Sequence, residues 1–120
     1  MESYLVNIKN NNYRIALTQF RLSAHNLEIE AGRHANIERN NRLCRLCNNG
    51  NVESEYHFLL ICNHYNDLRE KFLGNVSWAN IHKFSNIMKT HSRTKQVKLA
   101  KFIKLGFQDR STILQGFNNE

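Results

Sequence analysis

The sequence predicts a small, mainly α domain of short helices around one structural zinc site, with a single short segment left open between β and helix. Three observations predict it. Cys44, Cys47, His57 and Cys62 read Cys-x2-Cys-x9-His-x4-Cys and use all three cysteines of the chain. Apolar residues recur at helical spacing on both sides of that motif. Proline is absent from all 120 residues, which fits a mostly helical chain.

The motif comes first because it fixes the rest. Zinc takes thiolate and imidazole ligands in a tetrahedron, and Cys-x2-Cys is the short loop that brings two sulfurs to one ion. A second pair some ten residues on completes the set. Three thiolates and one imidazole leave no position for water, so the predicted site is structural. The competing reading is an isolated dithiol or unrelated buried cysteines. On one continuous helix residues five apart point about 140° away from each other, so His57 and Cys62 could not share a metal. The helix carrying Phe58-Leu59-Leu60-Ile61 is therefore expected to stop near Ile61. Ser54 suits its N-cap, and Asn63 suits a left-handed residue that ends it. A second short helix over 64–73 should close at Gly74.

The remaining elements follow in order. Asn10-Asn11-Asn12 offers caps for a helix with Tyr13, Ala16, Leu17 and Phe20 on one face and Arg14, Thr18 and Arg21 on the other. Residues 27–30 alternate and read as a short strand before Gly32 or as another helical turn. Residues 36–42 are polar and read as a loop. Ser77 can cap a helix carrying Trp78, Ile81, Phe84 and Met88. Ser92 or Thr94 can cap a final helix reaching about Arg110. The expected organisation is a flexible lead over 1–12, a zinc-binding domain over 13–110 and a flexible tail over 111–120. Within the domain, the metal core spans 42–73 and a basic helical tail spans 77–110. No internal repeat is visible.

Composition bounds the class. Hydrophobic residues make up 41% and charged ones 22%, which is globular. An odd cysteine count argues against a disulfide framework and for a reducing compartment. The N-terminus has neither the basic region nor the apolar run of a signal peptide, and the longest strictly apolar run is 58–62. A soluble, intracellular protein, nuclear or cytoplasmic and without a membrane partner, is expected.

Net charge is +7 and unevenly spread. Residues 1–43 carry six Lys/Arg against four Asp/Glu, residues 44–73 three against four, and residues 74–120 eight against two. On the last helix Lys95, Lys98, Lys101 and Lys104 fan around one side, opposite Leu99, Ala100, Ile103 and Phe107. Such a face is either a solvated surface over a buried stripe or a phosphate-facing surface with salt-dependent affinity for RNA or single-stranded DNA. Arg42 and Arg45 flank the thiolates and either offset their charge or contact nucleic acid as well.

Residues 16–33, with Leu22-Ser23-Ala24-His25-Asn26-Leu27 and Gly32-Arg33, are similar to the lead-in of a known zinc module. So are Arg42-Leu43-Cys44-Arg45-Leu46-Cys47, Glu53-Ser54-Glu55-Tyr56-His57-Phe58-Leu59-Leu60-Ile61-Cys62, and the tail pattern Leu99-Ala100-Lys101-Phe102-Ile103 with Arg110. Together these resemble the zinc-binding domain at the C-terminal end of reverse transcriptases from LINE-like (non-LTR) retrotransposons, over about residues 13–110. The resemblance implies metal ligation by Cys44, Cys47, His57 and Cys62, and a role beside a polymerase in engaging template RNA or target DNA. It assigns no settled role to Arg21, His25, Gly32 and Arg33. The chain has no palm or fingers sequence, so it is expected not to polymerise and to be a stand-alone derivative or a fragment. The Cys-to-His gap is longer than in retroviral zinc knuckles, and their base contacts do not transfer.

Other residues have a plainer reading beside the functional one. His64 could replace a ligand, but its place at a helix start favours the surface. His25 could meet phosphate, though a histidine after a helix is more often a cap or a satisfied partial-core residue. Tyr56, Phe58 and Tyr65 could stack on bases; packing around the metal is the simpler role for Phe58 and at least one tyrosine. Trp78 reads as core. Three function classes follow: a zinc-dependent nucleic-acid-binding module, a structural or protein-interaction zinc scaffold, and an enzyme. The closed metal site and the lack of any Glu-x-Lys or Asp-x-Lys pair speak against the enzyme.

Overall fold

Asn10 opens the first long helix in the way its position predicts, its side-chain oxygen accepting the Tyr13 amide at 3.1 Å. In the computed structural model, which describes residues 3–47, 49–74 and 81–118, that helix is the second of a mainly α fold. The helices are α1 (Ser3–Asn7), α2 (Asn11–Arg21), α3 (Glu28–His34), α4 (Asn66–Leu73), α5 (Ile81–Met88) and α6 (Arg93–Asn118). Short turns of 3-10 helix at Arg39–Asn41 and Asn63–Tyr65 flank the segment that carries Cys44, Cys47, His57 and Cys62. None of the described helices is long and apolar enough to cross a membrane.

Helix α6 is the axis of the molecule, with α1, α2 and α4 packed along it. Its inner face carries Leu99, Ala100, Phe102 and Ile103, all fully buried. Leu17 and Phe20 of α2 meet that face, and Phe58 joins the two halves through ring contacts to Phe20, Phe102 and Phe107. Gly106 is required here, since a Cβ on it would lie 2.7 Å from Cζ of Phe58. Ser92 starts the helix, its hydroxyl accepting the Lys95 amide and its carbonyl the Gln96 amide.

Three expectations need correction or completion. The predicted flexible lead is packed structure: Tyr4 and Ile8, four apart and so on one helical face, are both buried. The Tyr4 hydroxyl reaches Thr18 Oγ1 at 3.1 Å, and Asn7 donates to Gln96 Oε1 at 2.8 Å. The predicted tail from 111 continues α6 as far as Asn118, because no proline breaks it and Ile113 and Leu114 still pack half-buried. The open segment at 27–30 is the start of α3, not a strand. Its alternation arises because Leu27 and Ile29 are buried on either side of the helix start. Ser77 and Trp78 lie outside the described residues; Phe84 and Met88 of α5 pack against the core as expected.

Candidate metal centre

Two local structures bring the four ligands together. Leu43 and Val52 pair in an isolated antiparallel bridge, with the Cys44 amide donating to Asn51 and the Glu53 amide to Arg42, both at 2.9 Å. Gly50, at φ +75°, makes the turn between them. This knuckle presents Cys44 and Cys47. The second structure begins at Ser54, whose hydroxyl accepts the His57 amide at 3.2 Å, as the sequence predicts for an N-cap.

From His57 to Ile61 the backbone is π-helical. The Cys62 amide donates to the His57 carbonyl at 2.8 Å, so the i→i+5 bond ties the two ligand residues directly together. That wide turn solves the problem that residues five apart diverge on an α-helix. The helix ends where predicted, by a different device: Cys62 itself leaves in an extended conformation, φ −62° and ψ 122°. Asn63 is not left-handed, since among the described non-glycine residues only Ser23 and Asn36 have positive φ. The carbonyls at the end of the turn are taken by Arg69 of α4. Its guanidinium donates to Phe58 at 3.2 Å, Leu59 at 2.8 Å and Cys62 at 3.0 Å.

The ligand atoms of Cys44, Cys47, His57 and Cys62 all lie within 4.8 Å of one another. Cys44 Sγ and Cys62 Sγ are 3.9 Å apart, and Cys47 Sγ is 3.5 Å from His57 Nε2. A tetrahedral ion with bonds of about 2.3 Å to sulfur and 2.0–2.1 Å to nitrogen would need edges of about 3.8 and 3.6 Å. The four residues fit one ion. Cys44, His57 and Cys62 are buried and Cys47 is half-buried, so the ligands enclose the site. His64 pairs with Asp109 at 2.6 Å and is not among the four residues that could hold an ion.

Cys44 and Cys62 are coupled through their sulfurs, 3.9 Å apart. Donation from the Cys62 thiol lowers Cys44 to about 3, and the same contact, with burial, raises Cys62. Two sulfurs thus contend for one proton where a dication would hold both as thiolates. Behind Cys44 lies Glu53, 1% exposed, with Oε2 at 3.9 Å from the sulfur. Burial pushes its carboxyl up, and Arg110 opposes this through two hydrogen bonds of 2.7 and 3.0 Å. Glu53 also caps α3, accepting the Glu28 amide on its carboxylate at 2.7 Å and the Ile29 amide on its carbonyl at 3.0 Å. One carboxylate therefore joins the metal knuckle, the start of α3 and the middle of α6.

Sequence reasoning missed Glu53 and Arg69. Arg69 was findable: on α4 it falls in register with Tyr65 and Phe72, a charged residue at a core-facing position. Glu53 carries no local signal, because its partner is 57 residues away.

The predicted nucleic-acid residues divide. Arg42 lies over Gly32, where a Cβ would come within 2.5 Å of its Cγ. Its guanidinium holds the carbonyls of Ile29 and Ile37 at 3.0 and 2.9 Å, so its evident work is closing α3. Arg45 is exposed on the knuckle turn. Lys95 and Lys98 are exposed and line a cleft with α4 and α5, whereas Lys101 lies over the Tyr13 ring at 5.9 Å and Lys104 borders α2. The four lysines form an arc rather than a compact patch. His25 takes its plainer role, hydrogen-bonded to Glu55 at 2.9 Å with its ring between Phe20 and Phe107. Phe58 and Tyr65 are buried in the core, and Tyr56 packs on Phe84. Comparison with family models, with curated proteins and with solved structures finds no match to this chain.

Proposed function

We propose that this protein is a zinc-folded, non-enzymatic, intracellular module that binds RNA or single-stranded DNA. Zinc is the ion that three thiolates and one imidazole select in a tetrahedron, and it supplies a cross-link between the knuckle and the π turn. The nucleic-acid reading rests on one observation, the way charge is partitioned. Acidic residues around the metal centre are paired internally: Glu53 with Arg110, Glu30 with Arg33, Glu55 with His25. Between Glu70 and Asp109 the chain carries eight Lys/Arg and no acidic residue at all. That stretch forms α5 and most of α6, so the excess positive charge is carried mainly by these two helices. The resemblance to the C-terminal zinc domain of LINE-like reverse transcriptases supports the same reading.

The test is a salt titration on zinc-loaded protein. Affinity for single-stranded RNA or DNA should fall steeply as salt rises, since each neutralised phosphate releases counterions. Replacing Lys95, Lys98, Lys101 and Lys104 by Gln should flatten the slope and leave zinc content unchanged. A protein-docking scaffold is the second reading, favoured by Ile15 and Leu22, which stand 44% and 73% exposed along and just after α2. It predicts self-association or partner capture, and no binding to nucleic acid even at low salt.

A further inference from the structure

We infer that the cleft between α4, α5 and α6 receives one unstacked base of a single strand, with the neighbouring phosphates on Lys95 and Lys98. This rests on the nucleic-acid reading above and says where and how the strand is held. The cleft encloses about 630 Å³, room for a base, and its floor is Phe72, Leu73 and Ile87. All three line the cleft and are half-buried, and the Lys71 ammonium lies 5.3 Å from the centroid of the Phe72 ring. Lys83, Lys95, Lys98 and His82 stand around it, and among the described residues no carboxylate lines it.

An apolar floor under a basic rim suits a single strand better than a duplex. In a duplex the bases are stacked and only phosphates would meet the rim, which leaves the floor without an occupant. A single strand offers both surfaces at once: a π-face for Phe72 and phosphates for the lysines. Asn86, exposed at the rim, adds an amide able to donate to and accept from a base edge. The cleft between α2 and α6 lacks this combination. Its arginine, Arg110, is held by Glu53, and Lys104 is the one lysine along it among the described residues. Charge therefore selects the first cleft.

The experiment uses the full zinc-loaded chain and a short oligouridine carrying 4-thiouridine, crosslinked by light and mapped by mass spectrometry. Adducts are expected on residues of the cleft. Phe72→Leu, which keeps apolar bulk but removes the ring, should weaken binding about tenfold, the scale of one base–aromatic stack. Asn86→Asp, at an exposed helical position, should weaken it at least as much by placing a negative charge against the strand. Zinc content and helical signal should be unchanged in both. Salt-dependent binding with adducts elsewhere, and with both variants at wild-type affinity, overturns the cleft and leaves the nucleic-acid reading standing. Polyglutamate binding as tightly as the oligonucleotide, with the same sensitivity to the two variants, overturns the inference in favour of an acidic protein partner. Absence of any oligonucleotide binding at low salt removes both.

Discussion

Glu53 shows how much one buried carboxylate can organise, and how a residue can matter without announcing itself. It is held by Arg110 and stands behind Cys44, so Glu53→Gln would leave a buried guanidinium short of its counter-charge. A loss of about 3–5 kcal/mol is expected in denaturant unfolding of the zinc-loaded protein, the cost of breaking a buried pair from one side. Glu28, 3.6 Å from the same guanidinium, can offset part of it. Tyr65 makes the opposite case. Its hydroxyl is buried without a hydrogen-bond partner among the described residues, so Tyr65→Phe should raise stability by about 1 kcal/mol; a clear loss would reveal a partner for that hydroxyl. Glu55 carries a pH signature. The hydrogen bond from His25, outweighing burial, lowers its pKa below the ordinary 4.5. The folded carboxylate binds its proton less tightly than the unfolded one, so its contribution is full above 4.5 and disappears as pH falls below it. The stability gap between wild type and Glu55→Gln should therefore shrink in acid, and a gap constant with pH would contradict this. At this scale the sequence was legible for the cluster of Cys44, Cys47, His57 and Cys62, because cysteine and histidine spacing is chemistry written locally. It was silent on Glu53, whose meaning exists only after α6 has folded against the knuckle.

Among the elements, the π turn at His57–Ile61 is the one that makes the ligand set possible. Spacing predicted that an ordinary helix must end before Cys62, and it does. The i→i+5 bond and the Arg69 cap were not legible, because both arise from tertiary packing of α4 beneath the turn. Replacing Arg69 by Met removes the donors from three buried carbonyls while keeping most of the bulk. Zinc should then be lost to a competing chelator at lower concentration than from wild type, and equal retention would show that the turn holds itself. Helix α6 meets the same turn through Gly106. Gly106→Ala places a methyl group against Phe58 and should cost about 1–3 kcal/mol by overpacking, seen as a lower melting temperature at unchanged zinc content. Helix starts were the most readable features, with Asn10, Ser54 and Ser92 each capping where hydroxyl or amide side chains precede an apolar period. Helix ends and the packed N-terminal turn were less so. Tyr4 and Ile8 are too short a pattern to reveal a helix until α6 offers them a surface.

For the whole molecule, the fold reads as two sets of helices held on α6, with the metal centre joining the knuckle to the π turn between them. The mainly α class was legible from the helical spacing of apolar residues on both sides of the Cys/His motif. The position of the basic surface was only half legible: the lysines of α6 were correctly placed on its outer side, but their spread between two clefts depends on where α2, α4 and α5 pack. The central claim is that Cys44, Cys47, His57 and Cys62 together hold one zinc ion on which this arrangement depends. Zinc-edge X-ray absorption on the purified protein tests it most directly. Three sulfur neighbours at about 2.3 Å and one nitrogen at 2.0–2.1 Å, at one zinc per chain, are the predicted result. A shell dominated by nitrogen and oxygen, or a fully folded chain that holds no zinc when it is offered, would contradict it.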